Sequence, residues 1–148
     1  MSEDGPDGLP MGMWPRIHVI SGAPECLARI HASCRIAIAT NATVSRRPMI
    51  ELALRRGGLL QFVDAIFCFT ELGFRKDQRE FWRAVEAGMG VPLSRMTMVG
   101  DSLEQDVAAP ARFGLRTVWF NEAGRQAEPS DTVLMVTRLI DVPPLVLR

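Results

Sequence analysis

Short apolar runs alternate with amphipathic stretches through most of the chain. Ile17 to Ile20 is an apolar run after Pro15 and reads as a short strand. Ser21-Gly22-Ala23-Pro24 is a turn, with Pro24 suited to a helix start. Leu27, Ile30 and Cys34 then recur at helical spacing. Arg35 to Ala39 predicts a strand that stops at Thr40-Asn41. A helix opening at Pro48 buries Ile50, Ala53 and Leu54 and ends at Gly57-Gly58. Ala65 to Phe69 predicts a strand, and Thr70 to Lys76 the loop behind it. Asp77 is placed to cap a helix that buries Phe81, Val85 and Met89, before Gly88, Gly90 and Pro92 break it. Met96, Met98 and Val99 mark another strand. Leu103 to Val107 starts a helix that runs past Pro110 to Gly114. Thr117 to Phe120 is a strand, Asn121 to Asp131 a polar loop, and Thr132 to Val136 a last short strand. Leu139 to Arg148 is a proline-interrupted tail able to pack on the surface.

Strands alternating with helices at this interval predict an α/β domain of three layers around a mostly parallel sheet. At 148 residues the chain is one domain's worth. Residues 15–148 form that domain. Residues 1–14, rich in Gly and Pro among acidic residues, read as a disordered or loosely attached tail. Apolar residues are 47% and charged residues 23%, in the range of a soluble globular protein. A net charge of zero argues against a nucleic acid or an anionic membrane held by bulk electrostatics. No apolar run spans a bilayer and no signal core is present, so the expected setting is the cytoplasm. Cys26, Cys34 and Cys68 lack metal-type spacing and read as small buried thiols.

The chemistry gathers behind the strands. Met96-Thr-Met-Val-Gly-Asp-Ser-Leu-Glu-Gln-Asp106 carries two carboxylates after a strand, with no cation between them. In a parallel sheet that end is where ligands bind. Asp101 and Asp106 there suggest a hard-cation site for Mg²⁺, or else Ser102 or Asp106 simply caps the next helix. Thr40-Asn41 offers an oxyanion a hydroxyl and an amide, or makes a capping turn. The chain has sixteen Arg but a single Lys, Lys76, which marks a place for a compact ammonium rather than a planar fork. All three groups follow strands and so meet at one sheet edge. A hydroxyl, a cation and two carboxylates in one crevice describe a phosphate-plus-Mg²⁺ site. No Gly-rich phosphate loop is present, which weakens a generic nucleotide-binding reading.

From about Gly22 onward these segments resemble the haloacid dehalogenase-like (HAD) superfamily of hydrolases. Ile36-Ala37-Ile38-Ala39-Thr40-Asn41 is similar to the family's second motif, Glu71 to Lys76 to its third, and Gly100-Asp101-Ser102 with Asp106 to its fourth. Gly114 to Trp119 is similar to the segment that follows. The resemblance implies a three-layer fold with Lys76 and Thr40 in catalytic roles. It also implies that Thr40, Asn41 and Lys76 bind phosphate and that Asp101 and Asp106 hold Mg²⁺. Retaining both acids implies the phosphatase branch, acting on a small phosphorylated metabolite. The first motif, whose aspartates are nucleophile and general acid/base, has no match here, and neither does the cap domain. Asp4 and Asp7 lie in the Gly/Pro-rich stretch with no strand before them. In the family that first strand lies between those ending at Thr40 and Asp101. Its loss would strand backbone groups on both neighbours. Ile17 to Ile20 could replace it, another chain or a second copy could donate a strand, or the sequence could be a fragment. The expected function is thus a Mg²⁺-dependent phosphomonoesterase that is inactive or impaired as this chain alone. The alternative is a non-catalytic HAD-like binding module.

Overall fold

The computed structural model describes residues 8–125 and 133–148. The elements run β1 (Ala37–Thr40), β2 (Ala65–Cys68), β3 (Thr97–Gly100), β4 (Arg116–Phe120) and β5 (Leu134–Val136). Between and around them lie α1 (Ala23–His31), α2 (Arg47–Arg56), α3 (Phe69–Leu72), α4 (Arg79–Met89), α5 (Ala109–Arg112) and α6 (Pro143–Val146). All strand pairs are parallel. β1 pairs with β2 from Ala37 opposite Ala65 to Thr40 opposite Cys68. β3 pairs with β4 and β4 with β5. The α/β class with a parallel sheet and covering helices is therefore present.

Helix α4 explains how the two strand groups share one domain. Phe81, Trp82, Val85 and Met89 recur at helical spacing, and Phe81 and Trp82 are 0% and 2% exposed. That stripe packs on Ala37 and Ala39 of β1, Ala65 and Phe67 of β2, and Met96 and Met98 at β3. Gly88 lies inside α4, where a side chain would overlap the Phe67 ring. The helix instead ends at Gly90, whose φ of 67° suits glycine. Ile66 and Cys68 point to the opposite face of β2 and are buried there, on the side left to α2. Crossovers through α2 and α4 thus lie on opposite faces. Right-handed crossovers on opposite faces step in opposite directions, so β3 falls on the β1 side of β2. The order across the domain is β2-β1, a break, then β3-β4-β5. Beyond the break, α1 covers the face away from α4: Cys26 and Ile30 pack on Val99, Val118, Phe120 and Val136, with Leu139, Val142 and Leu145 closing the cluster. Burial raises the pKa of the Cys26 thiol there.

Several expectations are corrected. Residues 17–20 form no strand, and Val19 and Ile20 are exposed. Among the described residues they do not fill the break, nor does any backbone hydrogen bond join β1 to β3. An apolar run of four residues has no ladder of its own without a register to hold it. Residues 8–14 are not loose. Gly12 is buried against Met49 and Leu52 of α2, and Arg56 donates to the carbonyls of Gly12 at 2.8 Å and Trp14 at 2.7 Å. Residues 1–7, part of the same expected tail, lie outside the described residues, as do 126–131 of the expected polar loop and Thr132 of the last strand. Phe69, expected to end a strand, and residues 70–72, expected as loop, are helical. Asp77 caps nothing. Gln78 holds the cap position of α4, and its side chain accepts from the Arg75 N–H at 2.8 Å. Cys34 is exposed, unlike Cys26 and Cys68.

Two outcomes test this packing. Phe81→Ala should lower unfolding free energy by about 3–5 kcal/mol in urea titrations, the usual cost of emptying a fully buried aromatic site. Asp64 joins β1 to β2 at their entry: its carboxylate accepts from the Ile36 N–H at 2.7 Å and its N–H donates back at 2.8 Å. The Ile36 N–H first, and then His31 at 3.4 Å, hold its pKa below 3.8. A lowered folded pKa stabilises above the unfolded pKa, and that gain fades as pH falls through the folded value. Thermal melts should therefore separate wild type from Asp64→Ala at neutral pH and converge in strong acid.

Candidate active site

The strand order reverses at the break between β1 and β3. The loops at the carboxyl ends of these strands therefore border the crevice where open α/β sheets bind ligands. Lys76 is the centre of it. Its ammonium meets Asp106 Oδ1 at 2.5 Å, with the two side chains 9% and 6% exposed. Its N–H donates to Asn41 Oδ1 at 2.9 Å, and its carbonyl accepts from Trp82 Nε1 at 2.6 Å. Backbone and side chain are thus fixed by β1's loop, by α4 and by the segment after β3.

Asp106 is held as firmly. Its Oδ2 accepts from the Ser102 N–H at 3.0 Å, and Ser102 Oγ accepts from the Gln105 N–H at 3.2 Å. Gly100 is required for this: any Cβ there would overlap the Asp106 carboxylate. Leu103–Ala108 winds as a π-helical turn before α5. Pro110 accounts for the widening, because it has no N–H to give the Asp106 carbonyl and its ring would collide with that carbonyl in an α-helix.

The predicted site residues are therefore brought to one region in unequal roles. Asn41 is 3% exposed and ties three segments: it accepts from Lys76 and donates to Gln105 Oε1 at 3.1 Å. Thr40 Oγ1 accepts from the Ala42 N–H at 3.1 Å, which shapes the turn after β1. Asp101 is exposed, and its carbonyl accepts from Trp119 Nε1 at 3.1 Å. It lines a cavity of about 220 Å³ with Phe120, Asn121 and Arg125. Asn121 shapes that wall, exchanging hydrogen bonds with Arg125 at 2.8 and 2.9 Å. Both Asp106 oxygens have protein donors, whereas Asp101 is exposed at the cavity. Among the described residues no three His, Cys, Asp or Glu side chains gather closely enough to hold a metal ion. The residues fit Mg²⁺ in part: Asp101 offers one carboxylate, which suits an ion that completes its shell with water and phosphate oxygens. Ser102 caps the turn after β3, as one of the two readings of that stretch expected, whereas Trp82, Gln105, Trp119 and Asn121 were not singled out as site residues by the sequence. The two indole N–H groups leave no spacing signature, because each finds a carbonyl through the fold.

Glu71 sits at the edge of this region. Arg47 grips it in bidentate fashion at 2.7–3.1 Å while donating to the Ile66 carbonyl at 2.7 Å. The Arg47 hydrogen bonds lower the Glu71 pKa. The pair locks α3, and so the approach to Lys76, against α2.

With this geometry in view, known proteins place the chain. Residues 13–114 match the profile of haloacid dehalogenase-like hydrolases, and the chain belongs to that family. It is 31% identical over 108 residues to the pyrimidine 5'-nucleotidase YjjG of Escherichia coli K12, covering 72% of this chain and 47% of that protein. It is 38% identical over 87 residues to a ribulose-1,5-bisphosphate 5-phosphatase of Halopiger xanaduensis, covering 58% and 35%. The chain thus spans half or less of these curated relatives. In fold it is similar to a protein of Listeria monocytogenes serotype 4b, with a TM-score of 0.81, 22% identity and coverage of 95% and 86%. It is also similar to the HAD-hydrolase YfnB of Bacillus subtilis bound to magnesium, with a TM-score of 0.72, 23% identity and coverage of 87% and 55%. No helix among the described residues is long and apolar enough to cross a membrane.

A double-mutant cycle tests the buried pair. Lys76→Met or Asp106→Leu alone leaves a buried charge without its partner and should each cost about 3–5 kcal/mol in chemical denaturation. The double variant should recover most of that loss. Additive losses would show that the two groups act independently.

Proposed function

We propose that this chain carries the phosphate- and Mg²⁺-binding part of a HAD-type phosphomonoesterase, and that turnover needs a carboxylate nucleophile besides Asp101 and Asp106, which the described residues do not place in its crevice. The observation that carries this reading is Lys76, the single lysine, held nearly buried by Asp106 at the crevice between β1 and β3. A buried ammonium held by Asp106, on a residue whose backbone N–H and carbonyl are also anchored, is preorganised to meet a phosphoryl group without paying again to order itself. Thr40 stands at the end of β1 to donate its hydroxyl proton to a phosphate oxygen. Asp101 would hold Mg²⁺, which would offset phosphate charge. Asp106 positions Lys76 rather than binding the ion. The nucleotidase and sugar-phosphate phosphatase among the relatives support a small phosphorylated metabolite as ligand. The cytoplasm is the setting this implies. The non-catalytic binding module remains the second reading, favoured by one observation: the carboxylate placed beside Lys76, that of Asp106, has both oxygens engaged by protein donors.

The purified chain should release no p-nitrophenol from p-nitrophenyl phosphate with Mg²⁺ above the buffer rate. It should bind inorganic phosphate in calorimetry with Mg²⁺ present. Lys76→Met and Asp101→Asn should each weaken binding by about tenfold or more, the worth of one lost charge-assisted contact. Turnover that Asp101→Asn abolishes would show that the chain supplies its own nucleophile. Unchanged phosphate binding in both variants would refute the assigned site.

A further inference from the structure

We infer that Trp119 is a positioning residue for the site: its indole N–H fixes the Asp101–Ser102 peptide, and through that one peptide it aims the Asp101 carboxylate and steadies the Asp106 grip on Lys76. Its weight in ligand binding rests on the site reading proposed above, whereas its hold on the peptide rests on geometry alone. The chain has three tryptophans, and each donates its indole N–H to a backbone carbonyl. Trp14 donates to Leu9 at 2.8 Å, Trp82 to Lys76 at 2.6 Å and Trp119 to Asp101 at 3.1 Å. Two of the three thus end on residues of the candidate site.

The local structure explains why a tryptophan stands there. The β3–β4 ladder ends with Gly100 opposite Trp119, so the Asp101 carbonyl lies one residue past it. The turn that follows uses the next carbonyl, that of Ser102, which accepts from the Asp106 N–H at 2.8 Å. The Asp101 carbonyl falls between ladder and turn, and the Trp119 side chain is long enough to reach it from the position opposite Gly100. Val118 and Phe120 face α1, so Trp119 between them takes the other face of β4, where it is 6% exposed. Leucine or phenylalanine would fill that space without offering a donor.

The peptide so reached is grasped at both ends. Its carbonyl accepts from Trp119, and its N–H, that of Ser102, donates to Asp106 Oδ2 at 3.0 Å. The peptide unit is planar and rigid, so holding both ends restricts rotation at Asp101 on one side and Ser102 on the other. The direction in which the Asp101 side chain leaves the backbone is set with it, and Asp101 lines the cavity. Asp106 is the second output, because its other oxygen holds the Lys76 ammonium at 2.5 Å. One indole therefore governs a carboxylate and an ammonium that it does not touch. Groups that orient a metal ligand in this way change metal affinity by about 10- to 100-fold when removed. Trp82 serves the Lys76 side alone, and Trp14 serves neither.

NMR on the full chain tests this, with the three indole N–H groups as probes. In the wild type the Trp119 indole N–H should exchange with D₂O at least about tenfold more slowly than that of Trp14. Added Mg²⁺ should move the Trp119 indole resonance, inorganic phosphate with Mg²⁺ should also move that of Trp82, and Trp14 should respond to neither. Trp119→Phe keeps an aromatic ring and removes the donor. It should shift the Ser102, Asp106 and Lys76 amides and weaken Mg²⁺ binding by about tenfold. Trp14→Phe removes the same kind of bond elsewhere and should leave those amides and Mg²⁺ binding unchanged. Four results would each overturn the proposal: equal exchange of the Trp119 and Trp14 indoles, Trp119→Phe shifts confined to β4, equal Mg²⁺ losses in the two variants, or a Trp119 indole that ignores Mg²⁺ bound by the wild type. Should Trp119→Phe not fold, the wild-type exchange and titration decide. A wild type that binds neither Mg²⁺ nor phosphate would refute the site reading instead, and indole exchange with the Ser102 shift would still decide the hold on the peptide.

Discussion

The three-point anchoring of Lys76 is the constraint on which the rest of the molecule depends. Its N–H belongs to Asn41 behind β1, its carbonyl to Trp82 of α4, and its ammonium to Asp106 behind β3. No ladder joins β1 to β3 among the described residues, so cross-strand backbone pairing cannot align the two strand groups. These polar ties and the apolar stripe of α4 do it instead. Buried polar networks of this kind are valuable only when every member is satisfied. Here each is: among the described residues no buried side-chain nitrogen or oxygen lacks a partner.

The cost of that arrangement explains its local details. A buried ion pair gives back in Coulomb attraction roughly what it loses in desolvation, so it specifies geometry more than it stabilises. Asp106 must therefore be steered to one position. A π-turn upstream of Pro110 swings it inward, Ser102's N–H takes its second oxygen, and Gly100 leaves it room. The same steering commits both Asp106 oxygens to protein donors, while Asp101 lines the cavity. Two acids five residues apart in sequence thus end in different dielectric settings, Asp101 exposed and Asp106 buried.

Much of this was legible in the chain. The strands after residues 36, 64 and 96, the α4 stripe, and the gathering of Thr40, Lys76, Asp101 and Asp106 at one edge follow from apolar periodicity and from the rule that parallel strands deliver loops to one side. The departures share a physical cause. Ile17–Ile20 has strand-like side chains, but a strand is made by its neighbours' hydrogen bonds, which composition does not encode. Asp77 resembles a cap, yet Gln78 and Arg75 close that turn first. Asn41 looked like an open amide because its partners, Lys76 and Gln105, lie 35 and 64 residues away. The docking of residues 8–14 depends on Arg56 collecting carbonyls, and carbonyls are the same in every sequence.

Membership in the HAD family and a sheet that is broken among the described residues are therefore compatible statements. The family resemblance resides in loops at the carboxyl ends of strands, and those loops are held by side-chain ties that survive a break in the ladder. A phosphate site of the proposed kind needs a fixed cation and fixed donors, and the loops around Lys76 hold an ammonium and backbone N–H groups in place. Breaking a phosphate ester needs in addition a group aligned behind phosphorus, and alignment within fractions of an ångström is what a central, doubly paired strand contributes. Recognition and chemistry are thus separable on physical grounds: the first depends on the loops, the second on a paired strand aligned between them.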